Sequence, residues 1–196
     1  MQTIKRLNRH KAMSPPPMQQ LNLFDAPTQP EVGAHRPLLM KAISLWQPWA
    51  SLCVHGLKAY ETRGWNTFYR GPLLIHATKT LNSAAREVLT IKDFQLAMNQ
   101  MGYNANTLPL GAIVGKVDLV RTLPVEEWRT EKRRDKVNHT KWVREMLFGD
   151  YAEDEGRFAW ELANPVWLPQ PIPASGAQLI WKFDMTEYRH LIETAQ

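Results

Sequence analysis

The sequence is poor in the residues that build covalent or metal cross-links. It contains one cysteine, Cys53, so neither an intrachain disulfide nor a cysteine-based zinc site is expected. Its six histidines are scattered along the chain. The glycine-rich patterns of phosphate loops and dinucleotide-binding turns are also absent. We therefore predict no metal and no cofactor.

Long apolar runs are missing as well. No stretch approaches the roughly 18 uninterrupted apolar residues that a membrane-spanning helix needs, so no membrane association is expected. The first residues carry charge but lead into no apolar segment, which argues against a secretory leader. Together with the single cysteine, this predicts a cytoplasmic protein.

The N-terminal part differs in composition from the rest. Residues 1–37 hold six of the fourteen prolines and five basic against two acidic residues, with no sustained periodicity. Such a segment buries too little apolar surface to offset its ordering entropy. We predict a disordered tail over 1–37 and one folded domain over 38–190.

The domain alternates strand-like and helix-like segments. Strands are predicted at 39–45, 58–63, 72–77, 111–122, 157–162 and 177–184. Helices are predicted at 47–55, from 82 or 83 to about 101, in two pieces within 125–150, and from 186 onward. A proline-rich link is expected at 164–173. This order predicts an α+β fold, a small mixed β-barrel with flanking helices.

Three tryptophans cluster around the predicted start of the first helix. Trp46 and Trp49 flank Gln47 and Pro48, and Trp65 follows shortly after. Aromatic faces are surfaces on which unstacked bases settle. The alternative is that the indoles belong to the core, where large aromatic residues are common.

Charged residues follow in the same stretch. Glu61 and Arg63 share one face of a regular strand, whereas Lys58 points the other way unless the chain is still turning there. The three side chains predict a charged site beside the tryptophans. The alternative is a purely structural ion pair between Glu61 and Arg63.

These segments resemble the ASCH (activating signal cointegrator homology) domain family. Gly56, Lys58, Glu61 and Arg63 stand as its Gly-x-Lys-x-x-Glu-x-Arg motif. Residues 44–52 resemble its Ser-x-x-Gln-Pro-Trp-Ala-Ser-Leu segment. Residues 69–77, 111–120 and 164–182 resemble its later strands. The likeness runs in order over about 40–183.

The resemblance implies a PUA-like barrel with a cleft that receives nucleic acid or a modified nucleotide, with RNA or a single strand favoured. The residues it assigns to the cleft are Trp46, Gln47, Trp49, Lys58, Glu61, Arg63 and Trp65. Some similar proteins hydrolyse N4-acetylcytidine with a threonine where this chain has Glu61. An amidohydrolase using Glu61 as general base and Lys58 as oxyanion stabiliser is therefore the alternative.

The tail contains one apolar pentapeptide. Gln20, Leu21, Leu23 and Phe24 resemble the peptide by which bacterial replication proteins dock on the sliding clamp. An extended peptide can insert such side chains into an apolar groove. A clamp-tethered accessory factor of DNA metabolism is thus a further hypothesis, beside a chance match or a patch that folds back on the barrel.

Overall fold

Apolar side chains alternate along the central strands and pack into a cluster on each face of the sheet, with Ile43 and Leu73 on one side and Ala42 and Leu74 on the other. The computed structural model describes residues 36–135, 138–151 and 156–193. The strands are β1 (Leu39–Leu45), β2 (Tyr60–Arg63), β3 (Gly71–Ala77), β4 (Ala112–Pro124), β5 (Phe158–Pro173) and β6 (Ile180–Asp184). Residues 1–35 of the predicted tail, with the pentapeptide, lie outside the described residues.

Six helices connect or flank these strands in the described part of the chain. They are α1 (Trp49–Val54), α2 (Ser83–Val88), α3 (Lys92–Gln100), α4 (Val125–Arg134), α5 (His139–Phe148) and α6 (Arg189–Glu193). The two helical pieces predicted within 125–150 are α4 and α5. The short helix predicted after residue 186 is α6.

The strands form one mixed sheet in the order β2-β5-β4-β3-β1-β6. β1 and β3 run parallel, and their register places Ser44 opposite His76. The other pairs described in the sheet are antiparallel. The predicted α+β fold with flanking helices is confirmed.

The sheet curls around an apolar core that also receives α1. Ile43, Leu73, Val117 and Trp160 are among its buried members, and Trp65 packs against it from the side. Burying such side chains contributes about 1.5–3 kcal/mol each relative to exposure. Because β1 and β3 are parallel, their carboxyl ends meet at the same edge of this core.

The end of α1 is set by the glycine of the motif. Gly56 has a φ of +72°, and its amide donates to the Cys53 carbonyl at 3.2 Å. The amide of Leu57 reaches back to the Leu52 carbonyl at 2.9 Å. These two bonds form a Schellman cap, which needs a left-handed residue at this position. Gly56 is therefore required by backbone conformation.

The helix predicted from 82 or 83 to 101 is in fact two helices. Its start is as expected, since Asn82 accepts from the Ala85 amide at 2.7 Å. The interruption falls at Thr90, whose hydroxyl donates to the Glu87 carbonyl at 2.7 Å. Ile91 then adopts an extended conformation before α3. A local side-chain bond has replaced continuation of the helix.

The prediction of a proline-rich link at 164–173 is wrong, because β5 continues to Pro173. Its pairing with β4 shifts register at three places. Asn164 adopts a φ of +48° at one of these shifts, directly before Pro165. Prolines are tolerated in a strand at bulges, where no ladder bond is required. The bulges therefore allow β5 to continue through the proline-containing segment 164–173.

In the described ranges, no helix is long and apolar enough to cross a membrane. The same residues contain no group of three or more His, Cys, Asp or Glu side chains placed to hold a metal ion.

Candidate functional site

A cleft of about 620 Å³ opens where the ends of β1, β2 and β3 meet the connection from β5 to β6. Its size suits a nucleotide-sized ligand. Its walls combine aromatic, cationic and small polar residues: Ser44, Trp46, Arg63, Trp65, His76, Thr78, Lys79, Ser175, Gly176, Ala177, Gln178 and Leu179. No carboxylate of the described residues is among them.

Two tryptophans supply the aromatic surface of the cleft. Trp46 directly follows β1 and is 38% exposed, which is unusual for so large an apolar side chain. Trp65 is half-buried and meets the ring of Trp160 edge-on at 4.7 Å. Trp160 also donates from its indole to the Trp65 carbonyl at 3.3 Å. The Trp46 indole is thus open to solvent, whereas Trp65 is fixed by its contacts with Trp160.

Arg63 is held in the cleft by long contacts. Its guanidinium lies 3.6 Å from Glu61 and 3.5 Å from the Ser44 carbonyl, and it lies 5.8 Å from the ring centre of Trp65. Its Nε is buried without a hydrogen-bond partner among the described residues. The predicted shared face of Glu61 and Arg63 is therefore correct, but their ion pair is loose.

Glu61 lies behind Arg63, outside the residues that line the cleft. Burial raises the pKa of its carboxyl group, and the positive charges of Arg63 and Lys58 partly oppose that effect. Glu61 thus orients Arg63 and does not contribute to the cleft wall.

The floor of the cleft contains a histidine and a serine from neighbouring strands. His76 is buried, with Nδ1 3.2 Å from Ser44 Oγ and Nε2 3.1 Å from the Ala174 carbonyl oxygen. Ser44 Oγ also lies 3.0 Å from the Ala177 carbonyl. Burial lowers the pKa of His76, so the ring is neutral near pH 7.

Lys79 forms the rim of the cleft. A Cβ atom at Gly111 would lie 2.9 Å from Lys79 Cγ, so the lysine stem runs over the bare backbone of that glycine. Its ammonium lies 3.4 Å from Ser175 Oγ. The exposed ammonium group of Lys79 therefore lies beside the cleft opening.

Gln47 and Trp49, both predicted to line the cleft, lie elsewhere. The Gln47 amide is fully buried and donates to Ser51 Oγ at 2.8 Å and to the Pro109 carbonyl at 2.9 Å. The Trp49 indole donates to the Phe148 carbonyl at 2.8 Å. Both side chains donate hydrogen bonds into the structure. These bonds join the start of α1 to Pro109 and Phe148.

Lys58, the lysine of the motif, is also directed away from the cleft. It is 2% exposed, and its ammonium lies 2.8 Å from Glu145 and 3.1 Å from the Tyr151 hydroxyl. Glu145 accepts further bonds from the Ala59 amide and from Tyr151. The expectation that Lys58 lines the cleft is corrected, because α5 supplies a buried carboxylate that binds it.

The cleft thus contains Trp46, Arg63 and Trp65 from the predicted set. The sequence analysis missed Ser44, His76, Lys79 and Gly176 as lining residues. Ser44 and His76 come together through the parallel pairing of β1 with β3. That pairing brings together residues 32 positions apart, for which the sequence offers no local signal.

Comparison with known proteins identifies a family and several relatives. The family model of the ASCH domain matches residues 43–170. The human and mouse proteins named Activating signal cointegrator 1 are each 29% identical over 143 residues, covering 72% of this chain. The match spans 22% of the length of these curated relatives.

Solved structures of ASCH from Zymomonas mobilis are also similar. The unmodified protein is 18% identical, with a TM-score of 0.45, over 80% of this chain and 95% of that chain. A mutant of the same protein, in which phenylalanine replaces a tyrosine, is 17% identical, with a TM-score of 0.44, over 80% and 98% of the two chains. On the strength of the family match, which spans more than half of its length, the chain belongs to the ASCH domain family.

Proposed function

We propose that this chain binds single-stranded nucleic acid, RNA in the first instance, in the cleft described above. An unstacked base rests against the indoles of Trp46 and Trp65, and the adjoining phosphates contact Arg63 and Lys79. The ASCH family is PUA-like and is associated with RNA binding, which favours RNA over DNA as the ligand.

The main support is the incompletely satisfied guanidinium of Arg63 beside an exposed indole. Its ion pair with Glu61 spans 3.6 Å, longer than a direct hydrogen bond. A phosphate oxygen or a base acceptor can give Arg63 the shorter, charge-assisted bond that it lacks in the free protein. Trp46 offers a stacking face within the same cleft.

The charge distribution around the cleft favours an anion. Arg63 and Lys79 line it, and no carboxylate of the described residues does. A second cavity, of about 530 Å³, begins at Thr80, next to Lys79 in the chain, and is lined by Arg86 and Leu110. The described residues around that cavity include no carboxylate either. The adjacency of Lys79 and Thr80 in the chain makes a ligand longer than one nucleotide part of the proposal.

Titration with a short single-stranded RNA, followed by tryptophan fluorescence, tests this proposal. Replacing Trp46 with alanine should weaken binding by about 5- to 150-fold, the range for one base stacked on an aromatic ring (about 1–3 kcal/mol). Trp167→Ala is the matched control, because Trp167 is 46% exposed but lies outside the cleft. Equal losses for the two variants would refute the proposed site.

The salt dependence of RNA binding measures how many phosphate contacts the cationic side chains make. For single strands, the slope of log K against log salt is about −0.7 per phosphate contact. Lys79→Ala should reduce that slope by about one contact. Lys92→Ala, an exposed lysine on α3, should leave the slope unchanged. A salt-independent affinity would rule out phosphate binding.

The hydrolytic alternative receives no support from this geometry. It needs the Lys58 ammonium beside a substrate carbonyl, yet that ammonium is buried and bound to Glu145 and Tyr151. Incubation with N4-acetylcytidine, with Glu61→Gln as control, tests the alternative directly. Product from the unaltered chain alone would restore it.

The sliding-clamp interaction rests on the sequence of the tail. Gln20, Leu21, Leu23 and Phe24 lie outside the described residues, and the proposal depends only on their resemblance to clamp-binding peptides. A peptide covering residues 15–29 should bind a bacterial clamp, and Phe24→Ala should abolish that binding. Equal binding of both peptides would refute the interaction.

A further inference from the structure

The hydrogen atoms on the cleft floor can be assigned from chemistry. A carbonyl oxygen only accepts hydrogen bonds, so His76 Nε2, at 3.1 Å from the Ala174 oxygen, carries the ring hydrogen. A neutral imidazole has one such hydrogen. The other nitrogen, Nδ1, therefore presents a lone pair towards Ser44 Oγ at 3.2 Å.

Ser44 cannot satisfy both of its acceptors. Its hydroxyl has one hydrogen, and two acceptors lie within reach: His76 Nδ1 at 3.2 Å and the Ala177 carbonyl oxygen at 3.0 Å. Whichever acceptor receives the hydrogen, the other is left without that donor. The two acceptors, His76 Nδ1 and the Ala177 carbonyl oxygen, therefore share a single hydrogen-bond donor, the Ser44 hydroxyl.

One of the two acceptors is accessible from the cleft: Ala177 is exposed, whereas His76 is 1% exposed. Ser44, His76 and Ala177 all belong to the lining of the cleft. Gly176 lies directly against them, since a Cβ there would stand 2.6 Å from Ser44 Oγ. Gly176 thus packs over the buried ring of His76, and the carbonyl oxygen of Ala177 is the acceptor that a ligand can reach. A ligand that enters the cleft can therefore supply the missing donor.

We infer that the Ser44–His76–Ala177 floor selects bases that carry an exocyclic amine, cytosine and adenine, over uracil and hypoxanthine. The inference rests on the proposed function, because it identifies the base that the cleft holds. An amine donates to the acceptor that Ser44 leaves unsatisfied. The corresponding oxygen of uracil or hypoxanthine is an acceptor and faces that atom unfavourably.

Two matched ligand pairs test the preference, with binding followed by the indole resonances of the cleft tryptophans. CMP is compared with UMP and AMP with IMP, because in each pair the second base has a carbonyl oxygen in place of the amine and a hydrogen on the neighbouring ring nitrogen. CMP and AMP should bind about tenfold more tightly than their partners, the scale of one hydrogen bond gained in place of an acceptor–acceptor contact. Equal or reversed affinities in both pairs would overturn the inference and leave cleft binding intact.

Replacing His76 with phenylalanine tests the assigned hydrogens. It removes one acceptor, so Ser44 can donate to Ala177 without competition and the CMP preference should fall towards one. A folded variant that retains the tenfold preference would contradict the role of His76. If His76→Phe fails to fold, the wild-type comparison still decides. Failure of all four nucleotides and of the RNA strand to bind would refute the proposed function and this inference together.

Discussion

The ammonium group of Lys58 lies 2.8 Å from Glu145 Oε1, and both side chains are almost fully buried. The other oxygen of Glu145 accepts from the Ala59 amide at 2.7 Å. The motif lysine thus joins α5 to the chain segment that leads into β2. Its role in this protein is to position the element that carries Glu61 and Arg63, while the cleft itself uses Arg63 and Lys79 as cations.

Removing one partner of the Lys58–Glu145 pair should lower the free energy of unfolding. Lys58→Met leaves the Glu145 carboxylate buried without its cation, for which about 3–5 kcal/mol of unfolding free energy is expected to be lost. Urea unfolding measures the loss, with Lys92→Ala as the surface control. The double variant Lys58→Met/Glu145→Leu should recover part of it, because neither charge is then left alone. A Lys58→Met variant that keeps full stability but loses RNA binding would instead place Lys58 in the site.

Gly176 should tolerate no side chain. A Cβ there would lie 2.6 Å from Ser44 Oγ, so Gly176→Ala must displace the loop or the floor of the cleft. We expect a marked loss of nucleotide affinity. Gly64→Ala is the steric control, because among the described residues no atom beyond its two chain neighbours lies within 4 Å of the added Cβ. Unchanged affinity in Gly176→Ala would show that the loop is not part of the site.

Gly56 should be required for stability and not for binding. Its φ of +72° is left-handed, a conformation that costs other residues about 1–2 kcal/mol. An added Cβ would also approach Pro165 Cγ to 3.2 Å. Thermal unfolding of Gly56→Ala should show a loss of at least this size, with RNA affinity retained below the transition. A lower affinity at full stability would argue for a binding role of the motif glycine.

Glu61 should make stability depend on pH in a defined direction. Burial raises the pKa of its carboxyl group in the folded chain above the ordinary value of 4.5. Between the two values the folded state binds more protons than the unfolded state, so stability falls as pH rises. Relative to Glu61→Gln, the unaltered chain should therefore lose unfolding free energy as the pH rises above 4.5 towards the raised pKa of the folded chain. If the unfolding free energy of the unaltered chain relative to Glu61→Gln stays constant or rises with pH, the raised pKa of Glu61 is contradicted.

Local patterns in the sequence predicted most of the elements. The bounds of β1 are as expected, and the Gly56 cap and the Asn82 cap follow from rules that involve only adjacent residues. The path of β5 was missed, because its prolines are accommodated by bulges that depend on pairing with β4. Such bulges have no signature in a single strand.

The composition of the cleft was harder to predict for the same reason. Trp46, Arg63 and Trp65 lie close together in sequence and in the cleft. Lys58 belongs to the same motif, but its environment depends on Glu145, 87 positions away. The Ser44–His76 contact likewise requires the parallel register of β1 and β3. Residue type therefore indicated the chemistry, whereas tertiary pairing decided which side chains share the site.

The most direct test of the account observes the indole N–H resonances during titration with a short single-stranded RNA. The chain has eight tryptophans, which serve as probes at known places in the fold. The resonances of Trp46 and Trp65 should shift, while those of Trp49, bonded to Phe148, and of the fully buried Trp128 should stay in place. Saturable shifts at Trp49 or Trp128 with Trp46 and Trp65 unmoved would contradict binding in the cleft.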